Sequence, residues 1–268
     1  MPTGELGGHP AYWHMYPGGP RDVLAIHCSL AHSGAWTGLA QQLQDIASIT
    51  AYDLPMHGRS SDWDGHSDLH DVATEMGAAL LTHRMDLVGH SFGATVALRL
   101  ATLFPDRVRS LTLVEPVFFA AAKAIAPDAY DAYIAEERAM FGDLDADRES
   151  VTRNFVRAWG DGRRWFDLPA QTRSYLCDRI TFIPATNNSL NLDVLGLLAP
   201  GVIERAAVPA LLVQGAAAHP IMDVICQALA QRLPDATRVT IPGAGHMAPI
   251  THAGLVADSI RDLFLRAP

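Results

Sequence analysis

Apolar and polar positions alternate between two patterns along most of the chain. Short apolar runs at 11–16, 22–27, 48–53, 85–89 and 108–115 read as strands, the first two joined by the turn residues Pro17-Gly18-Gly19-Pro20. Segments 68–82 and 92–103 carry the 3.6-residue periodicity of helices. Strands separated by helices of about 10–15 residues build βαβ units, so a mostly parallel sheet is predicted, its ligand site beyond the strand carboxyl ends. After Pro116 this alternation stops. Tyr130, Tyr133, Ile134 and Phe141, then Val151, Phe155, Val156 and Trp159, are spaced as apolar helix faces. Strands return at 208–214 and 237–241 and helices at 221–233 and 255–265. The expected architecture is one α/β core of residues 1–116 and 201–268, with helices on both faces of the sheet and an inserted helical cap at 117–200.

Composition narrows the function classes. A chain of 268 residues, 49% hydrophobic and 18% charged, is long enough for one large core, burying roughly 70–75% of its unfolded surface. Net charge is −9 and the 20 Lys and Arg residues are dispersed, which argues against a nucleic-acid partner and for a small, not strongly anionic substrate. Cys28, Cys177 and Cys226 have no metal-ligand spacing and suit reduced thiols, so a cytoplasmic location is expected. No signal-peptide pattern and no run of about 18 apolar residues is present, and no membrane association is expected.

The chemistry concentrates in Gly89-His90-Ser91-Phe92-Gly93, between an apolar run and a helical pattern. A serine at a tight strand-to-helix turn is presented as a nucleophile, and the helix N-terminus beyond it favours developing negative charge. A serine hydroxyl needs a base, and that base needs an orienting carboxylate. His246, in the glycine-rich loop Pro242-Gly243-Ala244-Gly245-His246-Met247 after the last strand, is the candidate base.

The segments Asp53-Leu54-Pro55-Met56-His57-Gly58-Arg59-Ser60, Gly89-His90-Ser91-Phe92-Gly93 and Gly243-Ala244-Gly245-His246-Met247 resemble, in that order, three recurrent motifs of the α/β-hydrolase superfamily. The resemblance spans nearly the whole chain outside the cap. The commonest acid position of that family, after the strand ending at Gln214-Gly215, reads Ala216-Ala217-Ala218-His219-Pro220 and holds no carboxylate. An alternative acid position, used by members such as haloalkane dehalogenases, matches Glu115 at the end of Leu111-Thr112-Leu113-Val114-Glu115. The resemblance therefore implies Glu115 as the acid. Asp223 is the second candidate, and a structural contact for Glu115 with a backbone carbonyl orienting His246 is the plain alternative. For the oxyanion hole the resemblance implies the N–H of Phe92 and that of Ser29, with Leu30 second to Ser29. Cys28 stands where the family often has glycine and reads as a small buried residue.

Other polar clusters have bland readings. His66, Asp68, His70 and Asp71 look like ligand spacing but also like a capped helix start, and no metal and no cofactor are expected. Arg163 and Arg164 beside Trp165 read as a solvated pair next to a packed ring, and Asp53 is expected to organise its loop through Arg59. A serine nucleophile excludes the aspartate-based dehalogenase and epoxide hydrolase mechanisms within this fold. The resemblance implies a serine hydrolase of small to medium carboxylic esters working through an acyl-enzyme, the substrate lying under the cap. A C–C bond hydrolase, lactonase, perhydrolase or acyltransferase would use the same triad, and a ligand-binding member that hydrolyses slowly or not at all is the reading from another class.

Overall fold

The computed structural model describes residues 2–267; residues 1 and 268, the outer ends of the two expected core segments, lie outside the described residues. Eight strands form one sheet: β1 (Thr3–Leu6), β2 (His9–Tyr16), β3 (Arg21–Ile26), β4 (Ala47–Tyr52), β5 (Met85–His90), β6 (Val108–Val114), β7 (Ala210–Gly215) and β8 (Ala236–Ile241), in the order β1-β2-β4-β3-β5-β6-β7-β8. The first two strands pair antiparallel, and β2 meets β4 antiparallel. All pairings from β4 to β8 are parallel. The order turns back on itself at β3, so the chain leaves β3 towards one edge and β5 towards the other. Such a switch point opens a crevice at the carboxyl ends of the central strands.

Period-two alternation fills both faces of the sheet. Val23, Ala25, Val88, Leu211 and Val213 pack with α1 (Thr37–Leu43) and with the closing helix at Ala253–Arg266 on one face. Leu24, Ile26, Leu87, Leu111 and Leu212 face α2 (Leu69–Leu80), α3 (Phe92–Leu103) and the helix at Ile221–Ala230 on the other. Between β6 and β7 the chain runs through α4 (Phe119–Ile125), α5 (Pro127–Phe141), α6 (Arg148–Trp159), α7 (Ala170–Arg179), α8 (Phe182–Ala185) and α9 (Asn187–Asn191). After β7 come α10 (Ile221–Ala230), α11 (Ala248–Thr251) and α12 (Ala253–Arg266). Three elements, β1, α1 and α11, have no counterpart in the periodicity, and α12 starts two residues ahead of the expected 255.

Candidate active site

All six residues of β5 are buried, and the strand ends by feeding Ser91 into a turn at φ 57° and ψ −120°, a conformation that side-chain-bearing residues rarely adopt. The flanking glycines make that turn possible. A Cβ on Gly93 would lie 2.1 Å from Ile26 O and 2.5 Å from His27 O, and one on Gly89 would lie 2.3 Å from Gly93 O. Backbone against backbone leaves nothing to rotate away. The turn is closed by Ser91 N donating to Val114 O at 2.9 Å, which ties it to the neighbouring strand. Ser91 thus sits at the N-cap of α3, only 6% exposed, with Phe92 opening the helix.

Glu115 follows β6 with a φ of 51° and no exposed surface. Its Oε1 accepts from Gly215 N at 2.6 Å and its Oε2 lies 3.0 Å from His246 Nδ1. A carboxylate only accepts, so Nδ1 carries the imidazole proton and Nε2 is left as an acceptor for the Ser91 hydroxyl, 2.9 Å away. Residues 155 positions apart in sequence are brought into contact, and Glu115 completes a continuous relay. Asp223, by contrast, lies on α10 with its side chain 61% exposed, paired with Arg238 and accepting from Gln214 Nε2 at 3.1 Å.

Three further histidines support this arrangement; His57 and His90 stand inside two of the quoted motifs, and none of the three was assigned a role there. His90 Nε2–H donates to His246 O at 2.8 Å, holding the loop that bears the imidazole. Burial holds its pKa at about 3, so the ring is neutral. His27 Nδ1–H donates to Cys28 O at 2.7 Å and its Nε2 accepts from Leu54 N at 3.0 Å. His57 mirrors it, donating to Pro55 O at 2.7 Å and accepting from Leu30 N at 2.9 Å. Desolvation lowers His27 to about 4 and pushes His57 well below its ordinary value, which keeps both rings neutral and able to accept. The two rings stitch loop 28–30 to loop 54–57. Leu30, at φ 64°, spends its N–H on His57, so of the two oxyanion candidates in that loop Leu30 is already committed.

Cys28 is buried, and desolvation lifts its thiol to about 12, which makes it inert. Asp53 does hold its loop, but through the backbone: Arg59 N donates to Oδ2 at 2.8 Å and Ser33 N to Oδ1 at 2.6 Å, while the Arg59 guanidinium lies 4.9 Å from the Tyr12 ring centroid. The 66–71 cluster diverges. Asp68 caps α2 by accepting from His70 N and Asp71 N, His66 turns to Asp64, His70 to Thr95, and Asp71 to Arg99. Arg163 and Arg164 pair with Asp161 and Asp167, and buried Trp165 donates to Glu149 Oε1 at 3.1 Å.

Two cavities meet at the serine's side of the sheet. The inner one, about 60 Å³, is lined by the buried residues Ser91, His246, Val117, Tyr133, Glu137 and Leu190, with half-buried residues among the rest. The outer one, about 580 Å³, reaches exposed Arg163 and Ile250 and shares Ser29, Phe155, Trp159 and Met247 with the inner. Trp159 stands edge-on to His246 with centroids 4.9 Å apart and stacks on His219. The arrangement is suited to activating a hydroxyl next to a small chamber. Among the described residues no helix is long and apolar enough to cross a membrane.

Residues 23–259 match the model of the alpha/beta hydrolase family. The chain is 42% identical over 104 residues to the lipase LipV of Mycobacterium tuberculosis, a match covering 37% of this chain and 39% of the lipase. It is 27% identical over 249 residues to the pimeloyl-[acyl-carrier protein] methyl ester esterase of Aeromonas salmonicida, covering 90% of this chain and 94% of that esterase. The chain therefore spans well under two thirds of the lipase and nearly all of the esterase. A thermophilic esterase from Thermogutta terrifontis superposes with a TM-score of 0.73 over 100% of this chain and 99% of its own, at 18% identity.

Proposed function

Because the chain belongs to the alpha/beta hydrolase family, we propose that it is a serine hydrolase that cleaves carboxylic esters through an acyl-enzyme. The observation that carries this reading is the unbroken pair of contacts from Glu115 through His246 to Ser91, at 3.0 and 2.9 Å. In this reading Ser91 Oγ attacks the ester carbonyl while His246 Nε2 takes its proton, and Glu115 stabilises the resulting imidazolium. The N–H groups of Phe92 and Ser29 hold the oxyanion. His246 then passes the proton to the departing alcohol. Water, deprotonated by the same nitrogen, attacks the acyl-serine, and His246 returns that proton to Ser91 Oγ as the acid is released. The printed names of the relatives, a lipase and a methyl ester esterase, support the ester class.

The helices at 117–200 act here as a cap over the serine, and the division into a core of 1–116 and 201–268 with that insertion follows from it. The outer cavity admits a small to medium ester. Hydrolysis of p-nitrophenyl esters from acetyl to dodecanoyl, run on wild type and Ser91→Ala side by side, tests the reading. Turnover that vanishes in the variant, with a preference among chain lengths in the wild type, is the expected result. Turnover equal in both proteins refutes the nucleophile.

A further inference from the structure

Glu137 is a carboxylate that the triad does not use. It lies on α5 at an otherwise apolar helix face, one turn beyond Tyr133, and is only 8% exposed. Its side chain lines the inner cavity together with Ser91 and His246. Three neighbours aim donors at it: Asn191 Nδ2–H at 2.7 Å to Oε2, the Tyr133 hydroxyl at 3.3 Å to Oε1, and the Asn187 amide, oriented to donate, at 3.2 Å to Oε1. Asn187 and Tyr133 line the same chamber. A carboxylate offers about four acceptor positions, so three protein donors leave room for one more. Burying such a group costs free energy unless it is fully hydrogen-bonded. A chamber meant only for hydrocarbon would be served better by leucine.

We infer that Glu137 is a specificity determinant that selects substrates whose short acyl group carries a hydroxyl, seated in the inner chamber and hydrogen-bonded to the Glu137 carboxyl. This rests on the serine acyl-transfer reading above. The acyl part is assigned to the inner chamber because the acyl group must stay on Ser91 while the alcohol leaves. The roughly 580 Å³ outer cavity, which reaches exposed residues, is the exit. At about 60 Å³ the inner chamber suits a chain of few carbons. A hydroxyl both donates and accepts, so it matches Glu137 in either protonation state. That matters because burial raises the Glu137 pKa while the Asn191 and Tyr133 donors pull it down.

The test compares kcat/KM for p-nitrophenyl 3-hydroxybutyrate and p-nitrophenyl butyrate in wild type, Glu137→Gln, Glu137→Leu and Ser91→Ala. The ratio of the two esters within each protein cancels losses of folded enzyme. Wild type is expected to favour the hydroxy ester by about 10- to 100-fold, the worth of a hydrogen bond to a charged group. Glu137→Leu should bring the ratio to one or below, and Glu137→Gln, which preserves size and one acceptor oxygen, to an intermediate value. If Glu137→Leu does not fold, the Gln variant decides alone. A wild-type ratio near one, or a ratio unchanged in the Gln variant, overturns the inference while Ser91-dependent turnover leaves the serine mechanism standing. Turnover of both esters that survives in Ser91→Ala overturns both.

Discussion

Glu115 makes two hydrogen bonds that compete for one substituted side chain. In Glu115→Gln a single oxygen remains for Gly215 N–H and His246 Nδ1–H, and the amide nitrogen must face one of them. If it faces His246, the imidazole is driven to the tautomer that points N–H at Ser91. The expected loss in kcat is about 10²–10⁴-fold with little change in KM, measured by steady-state kinetics on a p-nitrophenyl ester. Asp223→Asn, at an exposed residue paired with Arg238, should leave kcat within about twofold. Equal losses in both variants would put the acid elsewhere. At this scale Ser91 and His246 were legible from the glycine-rich motifs that carry them, and Glu115 from the alternative acid position that the family resemblance implies; the structure brings the three side chains together. The roles of His27, His57, His90 and Glu137 were not legible. Their roles depend on partners such as Leu54, Leu30, the His246 carbonyl and Asn191, which local spacing does not reveal. The one available signal for Glu137 was a carboxylate interrupting the apolar face of Tyr130, Tyr133 and Phe141.

Elements meet tightly where α3 leaves β5 beside β3. Gly93→Ala pushes a methyl group into the Ile26 and His27 carbonyls, and neither backbone can rotate aside. Relief requires the helix start to move away from the sheet. The variant is expected to lose about 1–3 kcal/mol of stability, read as a lower thermal midpoint, and turnover should fall with it because Phe92 N–H moves too. An unchanged midpoint would mean that the helix start yields freely. Most strands and the long helices were readable from periodicity, since each presents an apolar face to one of two large clusters. β1 was not, because it is four residues long, lies at the sheet edge and buries only Leu6. α1 was not, because seven residues hold barely two turns and its buried set is Leu39, Ala40 and Leu43.

Across the whole molecule, the buried neutral histidines couple the fold to pH. His27, His57, His70 and His90 all have pKa values depressed by burial below 6.5, to about 4 for His27 and about 3 for His70 and His90. Between those values and 6.5 the unfolded chain binds protons that the folded one refuses, so stability falls as pH drops through that window. Each such histidine costs about 1.4 kcal/mol per pH unit once the pH is well below 6.5. Glu137 and Asp193, with their pKa values raised by burial, work in the opposite sense, two groups against four. Urea midpoints measured from pH 7 to pH 4 should therefore decline, more steeply below pH 6. A midpoint that holds level from pH 7 to pH 5 would show that these rings are protonated in the folded state.

With Glu115 on the strand next to the nucleophile, the proposed acid and nucleophile belong to one β-α-β unit, and only the base comes from afar. The loop 216–220 after β7 is then released from chemical duty: His219 stacks on Trp159, and Ala217 N donates to Ala244 O at 2.8 Å. Such a loop is a natural plot for directed evolution: libraries at His219 could change the packing behind Trp159 without touching a reacting atom.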